Sequence, residues 1–233
     1  MNAISSPPAG LMIFNTTVNS IFWFNGTTWD MGINRDGNSC GSVSYGGQVY
    51  TSVIIGTQCW MKENLNVGTA VTGTANQENN GVIEKYCYEN KDAKCAIYGG
   101  LYQWDEMMQY VTFQGTQGIC PSGWHIPSDE EWTKLSNYLG GESEAGGKVK
   151  EEGTVHWYPP NVATNSSGFT GLPGGYRNSS GSFLNLEYAG FYWSSSQSST
   201  LNAWYRDLYY NNTVMTRNNW DKVVGFSVRC LKN

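Results

Sequence analysis

Apolar and polar residues alternate through residues 203–211, and this alternation predicts a β-strand. One face of the strand would carry Trp204, Arg206, Leu208 and Tyr210, and the other would carry Tyr205, Asp207 and Tyr209. We expect the face with Trp204 and Leu208 to be buried, because it presents the larger apolar surface. The Tyr205 face is then displayed to solvent, and the polar stretch Arg217–Asp221 is expected to follow it as a loop.

A helical spacing of three and four residues replaces this alternation earlier in the chain. From Gly99 onward the apolar positions predict a first helix of about a dozen residues. These positions are Leu101, Trp104, Met108 and Val111.

A second helix is predicted from Ser128 to Gly140. Ser128 and Glu131 have the spacing of a capping box, and Gly140 is a typical helix stop. The buried stripe of this helix would consist of Trp132, Leu135 and Leu139.

The remaining segments favour short strands joined by loops. Residues 1–37 are predicted to form a small β module, because Asn25-Gly26 between two apolar runs is typical of a type I′ hairpin turn. Residues 47–60 form a second β region, and the chain after Gly140 is rich in Gly, Ser and Asn. The sequence therefore predicts an α+β domain over residues 38–233, preceded by the β-hairpin module.

Composition narrows the possible partners. Charged residues make up 14% of the chain, the formal net charge is -5, and no basic run occurs. The chain thus lacks the electrostatic signature of nucleic-acid binding. No apolar stretch reaches the roughly 20 residues needed to cross a bilayer, so direct membrane insertion is not expected.

The six cysteines indicate disulfide bonds. No two of them form a C-x-x-C pair, and the two histidines are too far apart to complete a zinc site. Cys40 and Cys59 bracket the second β region, and Cys87 and Cys95 would close a local loop. A bridge between Cys120 and Cys230 would close the loop-rich half of the chain. This set is typical of an oxidising compartment.

Residues with catalytic potential have simpler interpretations. Ser194–Ser196 lacks the G-x-S-x-G context of a hydrolase, and the acids Asp129, Glu130 and Glu131 are explained by their place in the first turn of a helix. His125, between Trp124 and Ile126, is expected to be a packed, hydrogen-bonded histidine, whereas His156 is open to either interpretation. We therefore predict no catalytic residue.

A binding surface is the stronger hypothesis. Tyr, Trp, Asn and Arg are the residue types of many binding loops, where rigid rings supply contact area and short polar groups adapt to the ligand. The alternative is an ordinary β surface with cross-strand tyrosine pairs. Residues 174–178 are a second, weaker candidate. The predicted ligand-binding residues are Tyr205, Asp207, Tyr209, Val214, Thr216, Arg217, Asn218, Asn219, Trp220 and Val223.

Five ordered motifs from about Gly47 to the C-terminus resemble the Fibrobacter succinogenes major paralogous domain. They are Ile55–Asn66, Tyr98–Trp104, Cys120–Trp132, Tyr192–Ser195 and Gly225–Cys230. The resemblance implies a C-type-lectin-like fold, with two helices, a small twisted antiparallel sheet and long loops tied by disulfides. It also implies a secreted or surface-displayed bacterial protein with no established catalysis.

The resemblance to C-type-lectin-like domains suggests a further possibility, because some of them are the variable proteins of diversity-generating retroelements. Their variable codons cluster near the C-terminus, where this chain is rich in Asn. Calcium is not expected, because the Glu-Pro-Asn, Gln-Pro-Asp and Trp-Asn-Asp triplets of calcium-dependent lectins do not occur in the sequence.

These observations favour a non-catalytic adhesin or receptor-binding domain that needs no cofactor or metal. Its partner would be a protein or glycan on another cell or host surface. The domain itself would be extracellular, at a cell surface or on a phage particle. Two alternatives stay open: a carbohydrate-active enzyme that uses Glu130, Glu131 or Asp207, and a purely structural fibre or envelope module.

Overall fold

The computed structural model describes residues 8–9, 11–15, 20–24, 29–34 and 39–233. These residues form fifteen strands: β1 (Met12–Asn15), β2 (Ser20–Phe24), β3 (Trp29–Asn34), β4 (Ser42–Tyr45), β5 (Gln48–Ile55), β6 (Gln58–Met61), β7 (Thr69–Val71), β8 (Glu84–Tyr86), β9 (Trp124–His125), β10 (Gly174–Arg177), β11 (Phe183–Leu186), β12 (Ala189–Gln197), β13 (Asn202–Tyr209), β14 (Met215–Asp221) and β15 (Leu231–Lys232). The helices are α1 (Asp92–Tyr98), α2 (Trp104–Met107), α3 (Asp129–Tyr138) and α4 (Glu142–Val149), with a short 3-10 helix at Tyr88–Asn90.

The strands form four sheets within the described residues. One five-stranded sheet has the order β11-β10-β12-β13-β14, and a second has the order β4-β5-β6-β15-β9. Strands β7 and β8 form a parallel pair, and β1, β2 and β3 form an antiparallel sheet. The predicted α+β class is confirmed. The turn at Asn25-Gly26 lies outside the described residues, although β2 and β3 are antiparallel neighbours.

Helix α3 confirms the second predicted helix and its capping box. The Ser128 hydroxyl accepts a hydrogen bond from the Glu131 N–H, and the Glu131 carboxylate accepts one from the Ser128 N–H. Trp132 and Leu135 are completely buried, and Leu139 caps the helix at the end of the predicted stripe.

The first predicted helix is wrong in extent. Only Trp104–Met107 is helical, and Leu101 and Tyr102 instead form β-bridges to Tyr86 and Phe226. A separate helix, α1, ends just before this segment because Gly99 takes a positive φ of 81°. Pairing with distant strands therefore overrides the local helical spacing.

The prediction of two helices also missed α4, which contains Gly146 and Gly147. Adjacent glycines disfavour a helix when judged locally. Here they are needed because α4 packs tightly against the chain before β14. A Cβ atom on Gly146 would lie 2.2 Å from the Val214 carbonyl oxygen.

Two aromatic cores lie on opposite sides of β12 and β13. On one side Trp132 of α3 packs against Trp60, with ring centroids 4.6 Å apart. The Trp132 ring also lies 5.9 Å from the ring of Tyr192 in β12. On the other side Trp193 packs against Phe226 at 4.4 Å. These central strands are consequently covered on both faces.

The three predicted disulfides are present: Cys40–Cys59, Cys87–Cys95 and Cys120–Cys230. Three bridges in one chain indicate an oxidising, extracellular environment. A search of the described residues finds no helix with the length and apolar character of a membrane span.

The Cys120–Cys230 bridge is predicted to contribute most to stability, because it closes 110 residues whereas Cys87–Cys95 closes 8. Chain entropy then gives a loss of about 4 to 5 kcal/mol for Cys120→Ala with Cys230→Ala, against about 2 to 3 kcal/mol for Cys87→Ala with Cys95→Ala. Urea unfolding of both double variants measures the difference. Equal losses would contradict the entropic origin.

Candidate ligand-binding surface

The sheet that contains β13 and β14 has two distinct faces. Cross-strand pairs Tyr205–Asn218 and Asp207–Thr216 place these four residues on one side. We call this side the aromatic face, and it consists of Tyr176, Phe191, Tyr205, Asp207, Tyr209, Thr216, Asn218 and Trp220. The opposite side, the helix face, carries Trp204, Arg206, Leu208, Arg217 and Asn219, and α3 and α4 lie near it.

The predicted burial of the helix face is confirmed for Arg206 and Leu208, whereas Trp204 and Tyr210 are only half-buried. The predicted display of the other face is wrong for two residues: Tyr205 is only 3% exposed and Asp207 only 5%. Aromatic rings from outside the strand cover Tyr205, because Phe226 lies 4.9 Å and Trp220 6.2 Å from its ring centroid. Tyr209 keeps 37% of its surface exposed.

The stretch Arg217–Asp221, predicted as a loop, belongs to strand β14 and pairs with β13 along its length. That strand is the last in its sheet, so its residues from Arg217 to Trp220 are exposed in succession. Asn218 Oδ1 accepts a hydrogen bond of 2.9 Å from the Asn219 N–H. The polar residues thus occupy a regular sheet edge.

Trp220 is both exposed and anchored. Its side chain is 40% exposed, yet its ring lies 5.6 Å from the ring of Tyr176.

Val214 and Val223 flank strand β14 and are exposed, whereas Thr216 is half-buried. The exposed members of the predicted site are Tyr209, Val214, Arg217, Asn218, Asn219, Trp220 and Val223.

The weaker candidate, residues 174–178, is mostly strand β10. Arg177 is buried there, where its Nε donates to the Gly73 carbonyl at 2.7 Å and its guanidinium lies over the Tyr86 ring. Only Tyr176 joins the aromatic face. A structural role therefore explains Arg177.

Asp129 has a role that the helix-capping interpretation missed. Its carboxylate accepts hydrogen bonds from Arg206 Nη1 at 2.8 Å and from Arg217 Nη2 at 2.8 Å. Arg217 also lies 3.5 Å from the ring centroid of Trp204. Burial alone would raise the pKa of Asp129, but the hydrogen bonds from Arg217 and Arg206 outweigh burial and hold it below its ordinary value.

Asp207, on the aromatic face, differs from Asp129 because no arginine or lysine side chain forms a salt bridge with it in the described residues. Burial raises the pKa of its carboxyl to about 6, although the Thr216 hydroxyl and the Arg206 charge lower it. The helix face of β13 therefore packs against an ion-paired carboxylate, Asp129 of α3, whereas the aromatic face carries Asp207, which has no ion pair in the described part of the chain.

Comparison with known proteins identifies the domain. The profile of the Fibrobacter succinogenes major domain matches residues 53–232. The chain belongs to the Fibrobacter succinogenes major domain family. Neither a curated protein nor a solved structure shows significant similarity to it.

The histidines of this Fibrobacter-type domain are engaged in local contacts. His125 contacts Glu131 at 3.0 Å and Asn233 at 2.7 Å, as expected for a packed histidine, and the Glu131 hydrogen bond raises its pKa. His156, left open by its sequence context, contacts Glu151 at 2.9 Å. Among the described residues no group of three His, Cys, Asp or Glu side chains is arranged to hold a metal.

The other candidate carboxylates lie apart from Asp207 in the domain. Glu130 and Glu131 belong to α3 on the helix-face side, and strand alternation directs Asp207 to the other side. A cleft of about 290 Å³ lies elsewhere, lined in part by Lys62, Glu63 and Glu151. Glu63 is bound to Thr51 and Glu151 to His156. The candidate carboxylates are therefore not brought together in one cleft.

Asp129→Asn is predicted to destabilise the fold by about 3 kcal/mol at pH 7, because it leaves the buried Arg206 without its counter-charge. The pKa of Asp129 is lowered by folding, so this contribution is complete above the ordinary aspartate value of about 3.9 and disappears as the pH falls through the lower folded-state pKa. Urea unfolding against pH measures it.

Glu130→Gln is the matched control, since Glu130 is the exposed neighbour of Asp129 on α3. It should change the free energy of unfolding by less than about 0.5 kcal/mol. An equally small effect of Asp129→Asn would show that Asp129 does not hold the helix to the sheet.

Proposed function

We propose that this domain is a non-catalytic ligand-binding module of the adhesin or receptor-binding type. The observation that carries the proposal is the row of exposed residues along strand β14 and beside it, led by Trp220 and Tyr209. The ligand would lie on the exposed edge of the aromatic face. Tyr209, Asn218 and Trp220 would contact the ligand there, and the buried Tyr205 would support them. Arg217 and Asn219 lie on the helix face, where Arg217 binds Asp129, so the structure does not bring all ten predicted residues to one surface.

Anchored rings favour binding on energetic grounds. Trp220 is supported by Tyr176 and Tyr205, so little side-chain freedom remains to be lost when a ligand covers its exposed part. Large aromatic side chains supply much of the binding energy in protein interfaces, while short polar side chains such as Asn218 adapt their hydrogen bonds. The pairing of β14 with β13 along its length keeps these groups at constant spacing.

The class of ligand follows from charge and location. The net charge of -5 and the lack of a basic run argue against nucleic acid. Three disulfides suit a protein that works outside the cell. A protein or glycan on another cell or host surface is therefore the proposed partner, with the domain displayed at a cell surface or on a phage particle.

Diversification by a retroelement is a further part of the proposal. Exposed side chains on an edge strand can change type with little effect on the packing beneath them, unless they make contacts such as those of Arg217 with Asp129. Asn218 and Asn219 belong to this row, and Asn codons are the ones that adenine mutagenesis alters. The edge of β14 would then be the part of the surface that changes between copies.

Trp220→Ala and Tyr209→Ala are each predicted to weaken ligand binding by about 1 to 4 kcal/mol without unfolding the domain, because both rings are partly exposed. Binding would be measured on glycan arrays and random peptide libraries, with circular dichroism to confirm folding. Tyr205→Ala does not test the binding surface, because Tyr205 is buried and its loss would also lower the stability of the fold.

Tyr138→Ala is the matched control, since Tyr138 is an exposed tyrosine on α3. It should leave binding unchanged. Equal binding by Trp220→Ala, Tyr209→Ala and the wild type would overturn the site, and concentration-dependent self-association with no saturable ligand would favour a structural module instead.

Sequencing of this gene across a natural population tests diversification. We expect substitutions to concentrate at Tyr209, Val214, Asn218, Asn219 and Trp220, because their side chains are exposed. Residues 99–132, which include buried core positions, serve as the internal control and should vary little. An even distribution of changes over the two segments would exclude diversification and indicate a constant ligand.

A further inference from the structure

Asp207 is a buried carboxylate on a surface that otherwise consists mainly of rings and uncharged polar groups. It is 5% exposed, and no salt bridge among the described residues includes it. Burying a carboxylate without a cation is costly, and native proteins retain such groups mainly where they serve a function. The charge of Arg206 lies on the opposite face, where Asp129 already binds it.

Aromatic rings stand on both sides of this carboxylate along strand β13. Tyr205 and Tyr209 share its face and are each two residues away, which places their Cα atoms about 6.6 Å from that of Asp207. Phe191 is its partner on β12, and Thr216 is its partner on β14. The short acid therefore lies between longer side chains, one of which, Tyr209, is open to solvent.

The helix face of the same strands shows what such a combination binds. There the guanidinium of Arg217 lies 3.5 Å from the ring centroid of Trp204 while it donates to Asp129 from Nε and Nη2. A guanidinium is planar, stacks on aromatic rings and forms paired hydrogen bonds with a carboxylate. The aromatic face has the ring and the carboxylate but no cation of its own in the described structure.

We propose that Asp207 and Tyr209 form a subsite for an arginine side chain of a protein partner. This inference rests on the proposed function and specifies the ligand chemistry at that surface. The guanidinium would stack on the exposed Tyr209 ring and donate to the Asp207 carboxylate. Charge complementarity then selects arginine-bearing proteins over neutral glycans.

The test uses acetyl-Gly-Arg-Gly-amide, its citrulline counterpart, which has nearly the same shape but no charge, and its lysine counterpart, which has the charge but not the planar group. Nuclear magnetic resonance titration of the full chain at pH 7.5 should give at least about tenfold tighter binding of the arginine peptide than of the citrulline peptide. Shifts should include the Tyr209 ring. Equal binding of the arginine and citrulline peptides, or tighter binding of the lysine peptide, would overturn the subsite.

Asp207→Asn should abolish the preference for arginine, whereas Glu130→Gln, which removes an exposed acid on α3, should preserve it. Asp207→Asn should also raise the urea midpoint at pH 7.5, because a carboxyl whose pKa is raised by burial destabilises the folded state once it is ionised. A lowered midpoint would show that Asp207 is a structural residue and would contradict the proposal.

The pH dependence supplies another readout. Arginine binding should weaken as the pH falls through about 6, where Asp207 becomes protonated. The titratable groups that face Asp207 are Tyr205, Tyr209 and Tyr176, and burial raises the pKa of all three, so they stay neutral over this range. Arg206, on the other face, keeps its charge. Binding that does not change between pH 7.5 and 5 would count against the subsite.

The outcome is separable from that of the proposed function. Array or library ligands that depend on Trp220 but not on Asp207 would support the binding surface and overturn the arginine subsite. If neither residue affects any ligand, both proposals fail.

Discussion

Burial of β12 and β13 on both faces is the constraint on which the rest of the structure depends. Eight of the nine residues of β12 are buried, and aromatic clusters built on Trp132 and Trp193 cover its two sides. A charged side chain on either strand consequently destabilises the folded state unless an opposite charge or hydrogen bonds compensate for its burial. Arg206 finds its partner in Asp129, which attaches the start of α3 to the sheet. Asp207, one residue later, lies on the other side and has no such partner in the described residues.

The edge strand of the same sheet, β14, is exposed to solvent, unlike the central strands β12 and β13. Strand β14 pairs with β13 on one side only, so its side chains from Arg217 to Trp220 reach solvent while its backbone stays regular. This combination suits recognition, because a rigid strand presents side chains at constant spacing without the entropy cost of ordering a loop. The Cys120–Cys230 bridge lies outside this sheet and joins the chain before α3 to the residue that precedes β15.

Local patterns predicted some parts of this fold well. The capping box at Ser128 and Glu131 determines the start of α3, since both of its hydrogen bonds are made within four residues. The alternation around Leu208 predicted β13 and its helix-face side chains. The prediction was less accurate where distant segments decide: Leu101 is extended because it pairs with Tyr86, and α4 tolerates Gly146 because Val214 lies directly against it.

The sequence by itself determined the α+β class, the presence of disulfides, the family and the two sides of β13, because these follow from residue types, ordered motifs and strand alternation. Only the tertiary structure decided which of those sides stays open. Tyr205 is covered by Phe226 and Trp220, residues 15 or more positions away in the chain, and the stretch expected to be a loop became an edge strand by pairing with β13. Side-chain exposure depends on what packs from elsewhere in the chain, and no local pattern of Tyr and Asp contains that information.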